Sequence, residues 1–236
     1  MILLAKNLEQ WQPVALPGMA TLTGGWVELH PLSAAQHTDA LWQAVLGHDE
    51  VWDWLGDGPY AVKEELFAAL AAKETGAAAR FFAILPRLAS GGLGSAVGYA
   101  SLMRMDPANG VIEVGNVMFS PQLQRTPAAT EAMYLMARYV FEELGYRRYE
   151  WKCNALNLPS RRAAERFGFT FEGIFRQHMV IKGRNRDTAW YSMLDSEWPE
   201  CRQAFEAWLT PENFDDAGRQ RRKLSRLSAT ESAGLS

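Results

Sequence analysis

Apolar and polar residues alternate along "GWVELHPLS" (25–33), the period of a half-buried strand, and "AAQHTDALWQAVL" directly after it switches to helical spacing. "GPYAVKEELFAALAAK" reads as a second helix, entered after Pro59. Two apolar strands follow, "RFFAILPRL" and "SAVGYASLMRM", joined by the flexible "ASGGLG", and a turn at "DPANG" leads into "VIEVGNVMF". Three strands in succession linked by turns predict an antiparallel meander. The segment from Ser120 to Tyr146 enters a helix through Thr126 and Pro127 and leaves it at Gly145. Beyond it come a strand in "YRRYEWKCNA", a short helix in "LPSRRAAERFG", a hairpin turning near Gly183 and a last helix in "SEWPECRQAFEAWL". The chain after Pro211 is polar and tail-like. This order predicts an α+β domain with a central mixed, mostly antiparallel sheet flanked by helices, its parallel pair flanking the crossover helix.

Met133, Met136, Ala137, Val140, Phe141 and Leu144 form a helical stripe able to lie on such a sheet. The stripe accounts for the fold; the start of the helix carries chemistry. Thr126 suits the N-cap, and Pro127 suits the first helical position, where its missing N–H would be unpaired anyway. A helix start exposes unpaired N–H groups and the positive end of the macrodipole, an arrangement that suits phosphate.

Composition narrows the classes of function. A chain of 236 residues with 48% hydrophobic content can bury a substantial core. Its net charge of -3 argues against a whole-surface nucleic-acid binder. Cys153 and Cys201 are too few for a disulfide framework and lack metal-type spacing, so a reducing compartment is the expectation. "MILLAK" is too short an apolar run for a signal peptide, and no stretch approaches the length of a membrane span. The expectation is a cytoplasmic protein.

The segment Ile112 to Gly173 resembles the core of a GCN5-related N-acetyltransferase (GNAT), in the branch that acetylates ribosomal-protein N-termini and related amines. The likeness rests on "IEVGNVMFS", "QLQRTPAAT", "EELGY", "RRYEWKCNALN" and "PSRRAAERFGFTFEG". Residues 24–198 fit that domain in order, with an N-terminal arm at 1–23 and a C-terminal helix and polar basic tail at 199–236. The resemblance implies acetyl-CoA as co-substrate and no metal. Its pyrophosphate would lie on the loop Gln124, Arg125, Thr126, Pro127, Ala128, Ala129 and Thr130, and its pantetheine arm along Val117, Met118 and Phe119. Asn157 and Ser160 would meet the far side of the cofactor. The family's first loop glycine is replaced by Pro127 and its second by Ala129; backbone donors are expected at Arg125, Thr126, Ala128 and Ala129, with the Arg125 side chain supplying charge. The tyrosine that many relatives use to protonate the leaving thiolate is Ala164 here.

An amine with a pKa of about 10.4 must lose a proton before it attacks a thioester, so a base near the acceptor helps. Glu113 matches a common family position for it, acting directly or through water; the alternative is a solvent-facing glutamate on a half-buried strand. A thiol with a pKa of about 8.5 leaves tolerably without a strong acid, and Ser160 or water could stand in for tyrosine. Backbone N–H groups near Val117 and Met118 would steady the oxyanion.

The remaining motifs carry less. "GGLGSAVG" fails the dinucleotide spacing and reads as a hairpin turn, and His30, His37, His48 and His178 are scattered without ligand spacing. Trp52, Trp54 and Tyr60 either line the acceptor cleft or cap the core. "GRQRRKLSRLS" reads as a solvated tail rather than an RNA contact. The expected function is therefore acetyl transfer to a primary amine of a peptide or small molecule. A CoA-binding regulatory protein on the same fold is the alternative, and a homodimer remains open.

Overall fold

Eight strands form one sheet in the order β1-β2-β3-β4-β5-β6-β8-β7. They are β1 (Leu22–Thr23), β2 (Val27–Pro31), β3 (Ala79–Pro86), β4 (Gly98–Asp106), β5 (Val111–Phe119), β6 (Arg148–Asn154), β7 (Thr170–Ile181) and β8 (Arg184–Leu194). Every neighbouring pair is antiparallel except β5 with β6. The meander β3–β4–β5 and the final hairpin stand where the alternating pattern puts them. The computed structural model describes residues 8–216 and 218–224.

Among the described residues five α-helices flank the sheet: α1 (Ala34–Val45), α2 (Lys63–Thr75), α3 (Pro127–Arg138), α4 (Leu158–Arg166) and α5 (Trp198–Leu209). Alternation along the strands divides the apolar residues between two cores. On one face Phe82, Ile84, Ile112, Val114, Tyr149, Trp151 and Met193 pack with Met133 and Met136 of α3, with Val140 just after it, and with Phe205 and Trp208 of α5. On the other, Phe81, Ala83, Leu85 and Tyr99 pack with Leu41, Val45, Leu66 and Leu70 of α1 and α2. This second core takes in no residue of β6, β7 or β8. That part of the sheet face is instead lined by charged side chains, which define the site below.

The crossover departs from a plain helix at its end. Residues Tyr139–Glu143 form a π-helical turn, closed by Leu144 N–H donating to the Tyr139 carbonyl at 3.0 Å. Gly145, at φ 74°, then takes the left-handed conformation that ends the element. The wider turn still leaves Phe141 and Leu144 packed on the core.

The region after Pro211 is not tail-like as far as Leu224. Phe214 packs edge-on against Trp26 and Trp208, and Trp208 Nε1 donates to Gln220 Oε1 at 2.8 Å. An aromatic anchor and a buried Asn213 hold this stretch, features that its polar composition hides. The last part of the basic run, from residue 225, lies outside the described residues. Among the described residues no helix is long and apolar enough to cross a membrane.

Candidate active site

β5 and β6 run side by side only from Val111↔Arg148 to Val114↔Trp151. β5 continues to Phe119 and β6 to Asn154, but no further pair joins them. A bulge helps part them: between Ser101↔Gly115 and Tyr99↔Met118, Ala100 of β4 faces both Asn116 and Val117 of β5. The extra residue bends its strand and sharpens the local twist. Asn116 sits at φ 50°, with Nδ2 donating to Ser101 Oγ at 3.0 Å. Gly115 beside it leaves room for Met103, whose Sδ would lie 2.5 Å from a Cβ there and would have to move. Val117, Met118 and Phe119 thus lie on β5 beyond the split, with main chain that β6 does not pair.

The helix start at this open end is tightly wound. Leu123 and Gln124 N–H both donate to the Ser120 carbonyl, at 2.9 and 3.0 Å, and Thr126 N–H donates to the Leu123 carbonyl at 3.3 Å. Arg125 carries the positive φ of 62° that turns the loop into the helix. Thr126 is the N-cap, its Oγ1 accepting from Ala129 N–H at 3.1 Å. This corrects the expected donor set: Thr126 and Ala129 spend their N–H groups inside the loop, while Arg125 and Ala128 have no partner among the described residues. Gln124 is likewise engaged, its Nε2 donating to the Phe119 carbonyl at 2.9 Å. Thr130 is buried and receives Arg166 Nη1 at 3.1 Å, which ties α3 to α4. The exposed Arg125 side chain has no partner among the described residues.

α4 presents a second capped start. Asn157 Oδ1 accepts from Ser160 N–H at 3.1 Å, and Ser160 Oγ accepts from Trp151 Nε1 at 3.0 Å. Cys153 lies against Ser160, and burial pushes its thiol pKa up. Ala164 is fully buried among the core aromatics, so that position faces the core rather than the split.

Glu113 is not solvent-facing. It is 3% exposed, with Arg104 Nη1 at 2.8 Å from Oε2 and 3.1 Å from Oε1, and Lys152 Nζ at 2.9 Å from Oε2. The ion pairs continue sideways: Lys152 to Glu150 at 2.6 Å, Glu150 to Arg148 at 2.7 Å, and Arg148 to Glu172 in a two-pronged contact at 2.5 and 2.8 Å. The hydrogen bond from Arg148 lowers the Glu172 pKa. Lys152 Nζ also lies 3.8 Å from the centre of the Trp190 ring, which stacks on Phe175. Sequence reasoning missed this row, although Arg148, Glu150 and Lys152 alternate with buried Tyr149, Trp151 and Cys153. A strand with charges of alternating sign on one face and aromatics on the other was the available signal.

The neighbouring rim is held by main-chain contacts. Lys182 Nζ, at the hairpin tip, donates to the Trp52 carbonyl at 2.9 Å. Trp52 itself is 2% exposed and belongs to the second core, whereas Trp54 is exposed and Tyr60 bonds to Asp57 at 2.7 Å. His178 Nδ1 lies 3.0 Å from Thr188 Oγ1. Among the described residues no three His, Cys, Asp or Glu side chains gather as a metal site.

Residues 27–170 match the family model "Acetyltransferase (GNAT) domain". A crystal structure of a GCN5-related N-acetyltransferase from Brucella melitensis is 52% identical, covers 92% of this chain and 97% of its own, and superposes with a TM-score of 0.88. A Chromobacterium violaceum ATCC 12472 structure, a probable acetyltransferase of the GNAT family, is 39% identical, covers 83% and 96%, and has a TM-score of 0.76. The Bacillus subtilis (strain 168) protein named "Putative ribosomal N-acetyltransferase YdaF" is 32% identical over 105 residues, which are 44% of this chain and 57% of that protein. A second curated Bacillus relative is matched over 50% of its length, so the chain spans little more than half of these curated relatives.

Proposed function

Because this chain belongs to the GNAT acetyltransferase family, we propose that it moves an acetyl group from acetyl-CoA to a primary amine while both are bound. The observation that carries this reading is the parting of β5 from β6 after Val114 and Trp151, with two helix starts at the open end. The β5 main chain around Val117, Met118 and Phe119, paired with β4 but left by β6, suits the amides of a pantetheine arm on its β6 side, as an added strand would. The N–H groups of Arg125 and Ala128, the dipole of α3 and the Arg125 guanidinium suit a pyrophosphate.

Bound acetyl-CoA supplies a thioester carbonyl at which an amine adds and from which the CoA thiol departs. The chain's own residues position the reaction and move its protons. Glu113 receives the proton of the incoming ammonium. Arg104, with a 39% exposed side chain, is the counter-ion that gives way, whereas Lys152 at 4% stays fixed. Ser160, whose oxygen accepts from Trp151 and whose hydroxyl faces the Cys153 thiol, would turn that hydrogen from Cys153 to the leaving sulfur. N–H groups at the bulge, near Val117 and Met118, steady the oxyanion. Holding the two substrates together supplies most of the acceleration. The name of the Bacillus relative supports a ribosomal-protein N-terminus as the acceptor.

One observation favours a CoA-binding regulatory protein instead: both oxygens of Glu113 are engaged by cations. The two readings separate in a free-thiol release assay with acetyl-CoA and a panel of amines and peptides, run beside calorimetry with CoA. A transferase releases thiol only when an acceptor is present, and Glu113→Gln lowers turnover while CoA still binds. CoA binding with no acceptor-dependent thiol release would identify the regulatory protein.

A further inference from the structure

Among the described residues, the charged row over β4, β5, β6 and β8 has one cation without a paired carboxylate. Arg104, Lys152 and Arg148 are each paired with Glu113, Glu150 or Glu172. Arg186 is not: its Nε is buried without a hydrogen-bond partner, and no carboxylate pairs with it among the described residues. Its place follows from alternation on β8. Asp187, on the face of Ala189 and Tyr191, spends its carboxylate on Gln177 N–H and Asn185 Nδ2, at 2.7 and 3.0 Å, while Arg186, Thr188 and Trp190 share the opposite face, where the Trp190 ring lies beneath Lys152. The last pair of β6 with β8 is Asn154↔Thr188, so Arg186 stands past the end of β6, at the open end of the split. Burial disfavours its charged form, and the Cys153 thiol, Arg104 and Glu113 all lie close enough to act on it electrostatically.

A half-buried guanidinium with an unsatisfied donor and an arginine as neighbour is unfavourable until an anion arrives. We infer that the acceptor carries a carboxylate close to its amine: the ammonium takes the place of Arg104 at Glu113, and the carboxylate is received by Arg186. This inference rests on the transferase reading and narrows its substrate class. The shared chemistry fits both a free amino acid, through its α-carboxylate, and a peptide with an acidic residue next to its N-terminus.

Matched acceptors that differ only in charge test it: serine against serinamide, and the amide Ser-Asp-Ala against Ser-Asn-Ala. In the thiol-release assay at least one acid should exceed its neutral partner about tenfold in kcat/KM. The pair that responds identifies the source of the carboxylate. Arg186→Gln should abolish the preference through the acceptor KM and leave the acetyl-CoA KM unchanged, and Arg186→Lys should restore part of it. The wild-type comparison stands even if a variant folds poorly. Transfer at equal efficiency to acidic and neutral partners overturns the inference while leaving the transferase reading intact. So does a loss in Arg186→Gln that falls on acetyl-CoA, which would assign the arginine to the cofactor. Transfer to no amine at all overturns the transferase reading, and the inference with it.

Discussion

Lys152 Nζ lies 2.9 Å from Glu113 Oε2 and 2.6 Å from Glu150 Oε2, with its side chain only 4% exposed. One ammonium therefore neutralises two buried carboxylates on adjacent parallel strands. Lys152→Met should leave them facing each other with Arg104 and Arg148 as their remaining counter-ions. Removing one partner of a buried ion pair typically costs about 3–5 kcal/mol. A fall of that size in urea-unfolding free energy is expected, and Glu150→Gln in the same background should recover part of it.

Glu131 forms a second buried anchor. Its Oε2 accepts from the N–H groups of Trp26 at 2.5 Å and Val27 at 2.9 Å, and its Oε1 from Gly25 at 2.9 Å. The carboxylate thus fastens the turn between β1 and β2 to the first turns of α3. Glu131→Gln puts an amide donor against main-chain donors, so a loss of about 2–4 kcal/mol is expected. Urea denaturation of wild type and variant measures it.

Arg125 and Thr126 should separate binding from folding at the helix start. Thr126→Ala removes the acceptor for Ala129 N–H and should lower stability by about 1 kcal/mol, seen as a shift of the thermal midpoint. Arg125→Ala removes an exposed, unpaired side chain and should leave that midpoint unchanged. The dissociation constant for CoA should instead rise about tenfold, the equivalent of roughly 1.4 kcal/mol, as read by calorimetry.

The Arg148–Glu172 contact predicts a pH dependence. Arg148 holds the Glu172 pKa below the ordinary 4.5, so the pair stabilises the fold above that pH. Its contribution should fade as pH falls through the lowered folded-state value. Glu172 is 38% exposed, which screens the effect to about 0.5 kcal/mol. Urea midpoints measured from pH 6 down to about pH 3 should fall less in Arg148→Met than in wild type.

Much of the scaffold was legible because period and capping are local. The strand read in "VIEVGNVMF" is β5 as observed, and Thr126 caps α3 ahead of Pro127 as its residue type implies. What the sequence left open depended on register. The family resemblance put an open strand edge at Val117, Met118 and Phe119, but nothing in the residue pattern of "NVMF" announces that β5 loses β6 after Val114, a break to which a bulge against β4 contributes. The donor count at the helix start was overdrawn for a similar reason: the Ser120 and Leu123 carbonyls that consume N–H groups become acceptors only once the loop has closed. The packing of Phe214 on Trp26 was equally hidden, since it joins residues nearly the whole chain apart.

By itself, then, the sequence determined the alternation of strands and helices, the crossover between parallel neighbours and the capped helix start. Each of these follows from residue types within a few positions of one another. Only the tertiary structure decided that Glu113 is sealed between Arg104 and Lys152, and that Arg186, past the end of β6, has no carboxylate paired with it among the described residues. Charge pairing depends on distance in space, and these side chains come from four strands whose positions the sheet alone brings together.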